Sequence, residues 1–456
     1  MSRSKQKPVV AKPLELYALT AAQAVAAMRA GEFSSEELVA ACLARIAQLE
    51  PGVQAWTFLD PDDAMQQARR ADAERREGKV FGALHGVPVG VKDIIDTADM
   101  PTECGTPLHT GRRPERDAAV VTRLREAGAV LLGKTVTTEF AYYTPGKTVN
   151  PHDPARTPGG SSSGSAAAVA AEMVPLALGT QTNGSVLRPA SFCGVVGYKP
   201  THGLISRHGV LKQSRTLDHV GFFARSIEDA ALLGDCLLGY DERDPDMRPR
   251  VRPQLVRTVN EEPPATPMFA FVKTPMWEQA DRDTQQGFAE LLKHLGTQAN
   301  EIDLSEMIND AVAAHRVLME ADFASSFAHE YDTSRERLSS ALREIIERGR
   351  RVSPEQYNEA LERIPPLNDA LEDIFTSYGT ILTPAVPGEA PLGLGSTGNP
   401  IFCTPWTLCG TPTLSVPLLR GAHGLPIGVQ LVGARGDDGR LLRNARWLVQ
   451  SVVGSG

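Results

Sequence analysis

The chain has 456 residues, of which 42% are hydrophobic and 22% are charged, a composition that excludes disorder of the whole chain. Its 55 acidic and 47 basic residues give a formal net charge of −8, which argues against a nucleic-acid-binding surface. The longest apolar run, residues 166–178, is interrupted by Glu172 and is shorter than the ~18 residues that a membrane span needs, so we expect no contact with a membrane.

The N-terminal residues 1–13 (MSRSKQKPVVAKP) contain basic residues and prolines but no apolar stretch. They therefore predict a mobile tail and not a secretory signal. Six cysteines are scattered along the chain without a Cys-x-x-Cys pair, which argues against a zinc or thioredoxin-like site. We therefore expect a cytoplasmic protein with free, mostly buried thiols.

Two helices are predicted directly after the tail. Thr20 and Gln23, and likewise Ser34 and Glu37, are three residues apart, which is the spacing of a capping box. In that motif the side chain of each residue accepts a hydrogen bond from the backbone N–H of the other. Apolar residues between positions 38 and 49 then recur at helical spacing. This periodicity predicts an amphipathic helix with one buried face.

From about residue 86 to residue 240, short apolar runs alternate with glycine-rich turns. The segments GVPVGVKD, AVLLGKT and VPLALGT have the length and apolar character of buried strands, and residues 117–127 between them predict a helix. Alternating strands and helices are typical of an α/β layered fold.

The second half of the chain changes character and then returns to strands. Residues 243–268 are rich in proline and charge, and residues from about 281 to 376 are charged and predicted to be helical. Strand-like segments follow at 380–382, 412–416 and 427–432. Because the sheet begins early and ends late, we predict a single α/β/α domain over 14–456, built around a mixed, mostly buried, twisted sheet. A mostly helical insertion at about 243–376 would cap the site.

Residues 128–135 (GAVLLGKT) match the phosphate-binding pattern G-x-x-x-x-G-K-[ST] in full. That pattern works only where a strand precedes the loop and a helix follows it. Here a predicted helix comes first, Gly128 is placed to end it, and AVLL has the character of the strand itself. A P-loop nucleotide-binding protein is therefore rejected.

Two glycine loops that carry serines are the strongest chemical signals: residues 157–171 (TPGGSSSGSAAAVAA) and 178–190 (LGTQTNGSVLRPA). Glycine beside a serine lets backbone N–H groups approach a carbonyl oxygen closely, but turn formation or helix capping explains either loop equally well. Lys92 stands in an otherwise apolar run. There it is either a neutral base with a lowered pKa or the partner of Asp93 or another carboxylate.

The combination resembles the amidase signature family over about residues 15–450. The resemblance is carried by several motifs in the family's order, namely HGVPVGVKDIID, AGAVLLGKT, NPHDPARTPGGSSSGSAAAVAA, LGTQTNGSVLRPASFCGVVGYKPT, ILTPAVPG and LPIGVQLVGARGDD. It implies that Ser185 is the nucleophile, that Ser161 is a bridging serine after a cis peptide, and that Lys92 is the base of a Ser–Ser–Lys triad. It further implies an oxyanion hole formed by the backbone amides of Thr182, Asn183, Gly184 and Ser185.

Several positions depart from the family pattern. Many members have aspartate at the position of Gln181, and glycine at the positions of Asn183 and Ser163. Asparagine tolerates unusual backbone angles better than most residues, so we expect the oxyanion hole to survive. Arg188 lies three residues after Ser185; some members bind a substrate carboxylate with arginine there, and a structural salt bridge is the alternative.

The remaining implications concern the substrate. Phe140, Tyr142 and Tyr143 resemble positions that line the acyl pocket, with core packing as the alternative. The resemblance implies an amidase that cleaves C–N bonds of small or aryl amides, with esters and carbamates as further substrates and with no metal or cofactor. It leaves a homodimer open. The main alternative is the A subunit of a glutamine-dependent aminoacyl-tRNA amidotransferase, which shares the fold and the triad.

Overall fold

A mixed β-sheet forms the centre of the protein in the computed structural model, which describes residues 15–79 and 82–454. The tail predicted at residues 1–13 lies outside the described residues. The strands are β1 (Trp56–Leu59), β2 (Pro88–Lys92), β3 (Val130–Thr135), β4 (Leu176–Gln181), β5 (Val196–Lys199), β6 (His219–Ala224), β7 (Phe269–Val272), β8 (Ala299–Ile302), β9 (Thr380–Pro384), β10 (Thr413–Arg420) and β11 (Pro426–Val432).

The described strands join in one sheet of order β1-β3-β2-β4-β6-β5-β10-β11-β9-β7-β8. The pairs β2/β3, β2/β4, β7/β8 and β7/β9 are parallel, and the other pairs are antiparallel. Every residue of β2, β3 and β4 is buried, as expected for strands covered on both faces. The predicted α/β fold around a mixed, mostly buried sheet is confirmed.

Helices cover the sheet. They are α1 (Ala21–Ala30), α2 (Ser35–Val53), α3 (Pro61–Arg76), α4 (Ala119–Glu126), α5 (Ser163–Ala170), α6 (Leu187–Cys193), α7 (Ile227–Leu237), α8 (Leu255–Asn260), α9 (Arg282–Leu295), α10 (Ser305–Ser326), α11 (Ala328–Ser334), α12 (Ser340–Gly349), α13 (Pro354–Glu362), α14 (Ile364–Ser377), α15 (Thr404–Leu408) and α16 (Asp438–Val453).

Both predicted capping boxes are present at the N-termini of α1 and α2. The Thr20 hydroxyl accepts a hydrogen bond from the Gln23 backbone N–H, and the Gln23 side chain accepts one from Thr20 N–H. Ser34 and Glu37 repeat the pattern. These reciprocal bonds satisfy backbone donors that a helix start leaves free, and so they fix where the first two helices begin.

The segment that matches the phosphate-binding pattern lies inside the sheet. Helix α4 ends before Gly128, whose φ of 79° suits a helix C-terminus, and residues 130–135 form β3. Lys134 is fully buried and donates to the Ile95 carbonyl and the Thr102 hydroxyl. A lysine held in this way is not free to contact a phosphate, and the rejection of a P-loop follows from the fold.

The segment at 243–376 is mostly helical, from α8 through α14, and it also contributes two strands. Strands β7 and β8 extend the far edge of the sheet beyond β9. Neither strand was predicted from the sequence, and β8 lies where a helix was expected. Its four residues, Ala299–Ile302, are only partly buried or exposed, so the strand lacks the apolar run that marks the inner strands.

Three observations bear on the classes of protein considered from the sequence. Within residues 15–79 and 82–454, no helix combines the length and apolar character needed to cross a bilayer. The same residues contain no cluster of three or more His, Cys, Asp or Glu side chains arranged to hold a metal ion. All six cysteines are free, and five of them are buried.

Candidate active site

The candidate residues meet at one edge of the sheet because of the strand order. Strands β2 and β4 are parallel neighbours, with Val91 opposite Leu178. Their carboxyl ends therefore lie at the same edge. Lys92 is the last residue of β2, and the turn of the second serine loop that carries Ser185 follows Gln181, the last residue of β4.

Lys92 contacts the first serine loop. Its Nζ donates to Ser161 Oγ at 2.8 Å and to Thr180 Oγ1 at 2.8 Å. The side chain has no solvent exposure, and neither contact is with a carboxylate, so the expected alternative of a pair with Asp93 is not formed. Burial lowers the pKa of Lys92 well below its ordinary value, against the opposing effect of the Asp218 charge. The neutral amine, which can accept a proton, is thereby favoured.

The first serine loop is held by the segment that follows β3 and by the end of β4. The Gly160–Ser161 peptide is cis, as the resemblance implies. Thr138 N–H donates to the Ser161 carbonyl at 3.2 Å, and Ser162 Oγ contacts both the backbone N–H and the carbonyl of Thr180 at 3.2 Å. These bonds hold Ser161 in place opposite Lys92.

Ser185 stands in the loop that joins β4 to α6. It is 9% exposed, and its hydroxyl makes no hydrogen bond to another described residue. In the described part of the chain, no acceptor is found for the backbone N–H groups of Asn183, Gly184 and Ser185. A free hydroxyl beside several free N–H groups is the local arrangement that acyl transfer requires.

Gln181, one of the departures from the family pattern, stabilises the loop that carries Ser185. Its Oε1 accepts hydrogen bonds from the N–H groups of Val186 and Leu187, at 2.9 and 3.1 Å. Its Nε2 donates to the Thr407 hydroxyl at 3.0 Å. The amide therefore connects β4, the start of α6 and α15 without introducing a charge.

A second polar cluster supports the loop from the other side. Thr182 Oγ1 lies 2.6 Å from Gln213 Oε1 and 2.7 Å from Asp218 Oδ1, while Gln213 Nε2 donates to the Phe140 carbonyl at 2.7 Å. Burial raises the pKa of Asp218 to about 6. The cluster ties the loop to the segment that carries the predicted pocket residues.

A cavity of about 10 Å³, roughly the space of one water molecule, opens beside Ser185. Its lining includes Tyr142, Tyr143 and Arg188 from the sequence prediction, together with Ala141, Thr182, Asn183, Gln213, Met319 and Phe323. Phe140 does not line it. That ring is fully buried, and it packs against His109 and Phe327 with ring centroids 5.1 and 4.9 Å apart. Of the two alternatives given for the aromatic residues, core packing thus describes Phe140.

Arg188 is buried beside the cavity without a carboxylate partner among the described residues. Its terminal nitrogens donate to the carbonyls of Gly160, at 2.7 Å, and Gly398, at 2.9 Å. Its Nε is buried without an acceptor among the described residues, and its guanidinium lies 5.6 Å from the Tyr143 ring centroid. The salt bridge considered from the sequence is absent here, and the arginine instead holds the peptide that precedes Ser161.

Sequence reasoning missed four side chains that hold the two loops: Thr180, Gln213, Thr407 and His315. Thr180 alone carried a local signal, because it precedes Gln181 within the second serine loop. His315 reaches the Thr182 carbonyl from position 315, with 3.0 Å between Nε2 and the oxygen. Thr407 donates to the Asn183 carbonyl at 2.5 Å. Contacts over such sequence separations leave no trace in residue spacing.

Comparison with known proteins identifies the family of the chain. A family model described as Amidase matches residues 37–442. The chain belongs to the amidase signature family. This amidase signature protein is 35% identical over 473 residues to the A subunit of the glutamyl-tRNA(Gln) amidotransferase of Chloroflexus aurantiacus, a match that covers 94% of this chain and 96% of the relative.

Other similar proteins include a putative amidase and a chain of known structure. The amidase signature chain is 34% identical over 450 residues to the putative amidase AmiD of Mycobacterium bovis, covering 94% of this chain and 92% of the relative. It superimposes with a TM-score of 0.89 and 27% identity on a chain from a vestigial protein complex described as revealing the evolutionary origins of an s-triazine catabolic enzyme. That match covers 96% of this chain and 99% of the other. The family predicted from the sequence motifs is confirmed.

Proposed function

We propose that this chain hydrolyses the C–N bond of a small or aryl amide through an acyl-enzyme on Ser185, with esters and carbamates as further substrates. The observation that carries the proposal is the contact of a fully buried lysine, Lys92, with Ser161 at 2.8 Å. A lysine that is held away from water and has only hydroxyl groups as hydrogen-bond partners is available as a neutral base. The free hydroxyl of Ser185 on the neighbouring loop then supplies the nucleophile.

In the proposed mechanism, protons move along a short relay. Lys92 Nζ accepts the proton of Ser161, and Ser161 accepts the proton of Ser185 as Ser185 Oγ attacks the substrate carbonyl. The C–N bond breaks while the relay returns the proton to the leaving amine. Water then attacks the acyl carbonyl and gives its proton to the relay. The ester bond to Ser185 Oγ breaks as the relay returns that proton to Ser185, and the carboxylic acid leaves. The steps need no cofactor.

We assign the stabilisation of the tetrahedral intermediate to the second serine loop. The proposed donors are the backbone N–H groups of Thr182, Asn183, Gly184 and Ser185. Those of Asn183, Gly184 and Ser185 have no acceptor among the described residues, which supports this assignment. Preorganised donors of this kind contribute about 10²–10³-fold each to kcat.

The cavity lining supports a substrate class. Its walls are the aromatic rings of Tyr142, Tyr143 and Phe323, and its one charged group among the described lining residues is Arg188. We therefore propose an amide with an apolar or aryl portion, and we propose that a carboxylate on the substrate would lie toward Arg188. The Nε–H of Arg188, which has no acceptor among the described residues, would donate to such a group as a charge-assisted hydrogen bond.

The second candidate is the glutaminase component of an amidotransferase, which the 35% identical relative from Chloroflexus aurantiacus favours. Glutamine carries an α-ammonium group as well as an α-carboxylate. Among the described residues, the lining of the cavity contains no carboxylate to receive that ammonium. We therefore prefer the free-standing amidase, acting in the cytoplasm, with a homodimer left open.

The test is turnover by the purified chain alone. Anilides, primary aliphatic amides, carbamates, amides bearing a carboxylate, and glutamine are each assayed with wild type and with Ser185→Ala. We expect hydrolysis of one amide class by wild type, loss of it in Ser185→Ala, and an acyl-enzyme mass adduct in wild type alone. Glutamine hydrolysis that appears only with partner proteins present would support the second candidate instead.

A further inference from the structure

Helix α10 presents one stripe of side chains to the candidate site. His315, Met319 and Phe323 follow one another at intervals of four residues, so they lie on the same helix face. Met319 and Phe323 line the cavity beside Ser185. His315 is buried, and its Nε2 lies 3.0 Å from the Thr182 carbonyl oxygen. One helix therefore contacts both the substrate cavity and the loop that carries Ser185.

The direction of the hydrogen bond is fixed by its partners. A carbonyl oxygen only accepts, so His315 Nε2 carries the hydrogen. Burial lowers the pKa of His315 to about 4, so the ring is neutral at physiological pH. The imidazole is therefore a donor toward Thr182 over the pH range in which Lys92 could act as a base.

The bond has a geometric consequence for the next residue. The carbonyl of Thr182 and the N–H of Asn183 belong to one planar peptide group. The oxygen and the N–H lie at opposite edges of that plane. A donor that holds the oxygen therefore also sets the direction in which the N–H points. The N–H of Asn183 is among those without an acceptor in the described part of the chain.

We propose that His315 is a positioning residue that aims the Asn183 N–H into the oxyanion hole by holding the Thr182–Asn183 peptide, an inference that rests on the proposed acyl-enzyme chemistry. The following peptides are held in the same manner. The Asn183 carbonyl accepts from the Thr407 hydroxyl, and the Gly184 carbonyl accepts from Arg188 N–H at 3.0 Å. Of these anchors, His315 is the one that joins the hole to the helix forming the cavity wall.

The experiment compares His315→Leu with His315→Gln, since the glutamine amide keeps an N–H donor at nearly the reach of Nε2. With the best amide from the substrate panel, we expect His315→Leu to lower kcat about 10–100-fold and to leave KM within about threefold, because only donors aimed at the transition state are disturbed. His315→Gln should recover most of kcat. Ile308→Val, a buried residue of α10 away from the loop, is the matched control and should retain wild-type kcat.

A second readout separates positioning from a general structural role. A trifluoromethyl ketone analogue of the same amide adds to the serine and places its oxyanion in the hole. We expect its Ki to rise in His315→Leu by the same factor by which kcat/KM falls. Should His315→Leu fail to fold, His315→Gln and His315→Asn replace it, because asparagine is too short to keep the bond.

The outcomes distinguish this inference from the proposed function. Wild-type kcat and Ki in His315→Leu, with Ser185→Ala inactive, would overturn the role of His315 and leave the acyl-enzyme mechanism standing. Equal losses in His315→Leu and His315→Gln, with unchanged Ki, would also overturn it. Turnover by Ser185→Ala would overturn the proposed function and this inference together.

Discussion

The position of Gly184 provides a quantitative test of the oxyanion loop. A Cβ added at Gly184 would lie 2.8 Å from the Cβ of Pro400 and 3.3 Å from that of Cys403. Carbon atoms in ordinary contact are about 3.5–4.0 Å apart, so Gly184→Ala forces a displacement of roughly 0.7 Å. The φ of Gly184 lies outside the left-handed region, and the substitution therefore tests steric contact and not backbone strain.

The displacement should appear mainly in kcat. A misplacement of about 1 Å at a reacting centre costs on the order of 10²-fold in rate, and removal of one oxyanion donor costs about 10²–10³-fold. We therefore expect Gly184→Ala to lower kcat about 10–100-fold, with a smaller change in KM. Steady-state kinetics on the preferred amide, with the thermal midpoint Tm measured in parallel, provide the assay.

Two variants sharpen the interpretation. Gly395→Ala adds a Cβ where nothing lies within 4 Å, so it should retain wild-type kcat. Gly184→Ala combined with Pro400→Gly removes the Cβ that causes the closest contact and should recover much of the loss. Wild-type kcat in Gly184→Ala at unchanged Tm would refute the assignment of this loop to the oxyanion hole.

Three further predictions concern the relay and the cavity. Lys92→Met should abolish turnover. Burial lowers the pKa of Lys92 in the folded protein, so between that pKa and the ordinary value of 10.5 the unfolded chain binds more protons than the folded one. The free energy of unfolding of the wild type therefore rises with pH over this window. Denaturant titrations should show that this rise is missing in Lys92→Met. Thr180→Val removes an acceptor of Lys92 Nζ and should move the acid limb of the kcat/KM profile to lower pH; an unmoved limb would exclude this contact from the relay. Arg188→Lys should lower kcat/KM more for a carboxylate-bearing amide than for its neutral analogue, and equal losses would leave Arg188 with a structural role alone.

The sequence predicted those parts of the molecule that depend on local patterns. Capping boxes, buried strands and the rejection of the phosphate-binding motif at 128–135 all followed from neighbouring residues, because hydrogen bonding and burial over a few positions decide them. Strand β8 was missed because an edge strand that is partly exposed has no continuous apolar run. Local pattern and tertiary context disagree at such an edge.

The supporting contacts of the candidate site could not be predicted in the same way. His315 contacts Thr182, which is 133 positions away in the sequence, and Thr407 contacts Asn183, which is 224 positions away. These contacts depend on how the helices pack against the sheet. Phe140 and Tyr143 are close in sequence, yet only Tyr143 lines the cavity. Side-chain direction separates them, and a motif does not contain that information.

The burial of the thiols determines how the protein responds to chemical labelling. Burial raises the pKa of Cys42, Cys104, Cys236, Cys403 and Cys409 to about 12, and that of Cys193 higher still. Maleimides and iodoacetamide react with thiolates, so the native fold should resist both reagents. A serine-directed electrophile should then label the purified protein at serine with little background from its own cysteines.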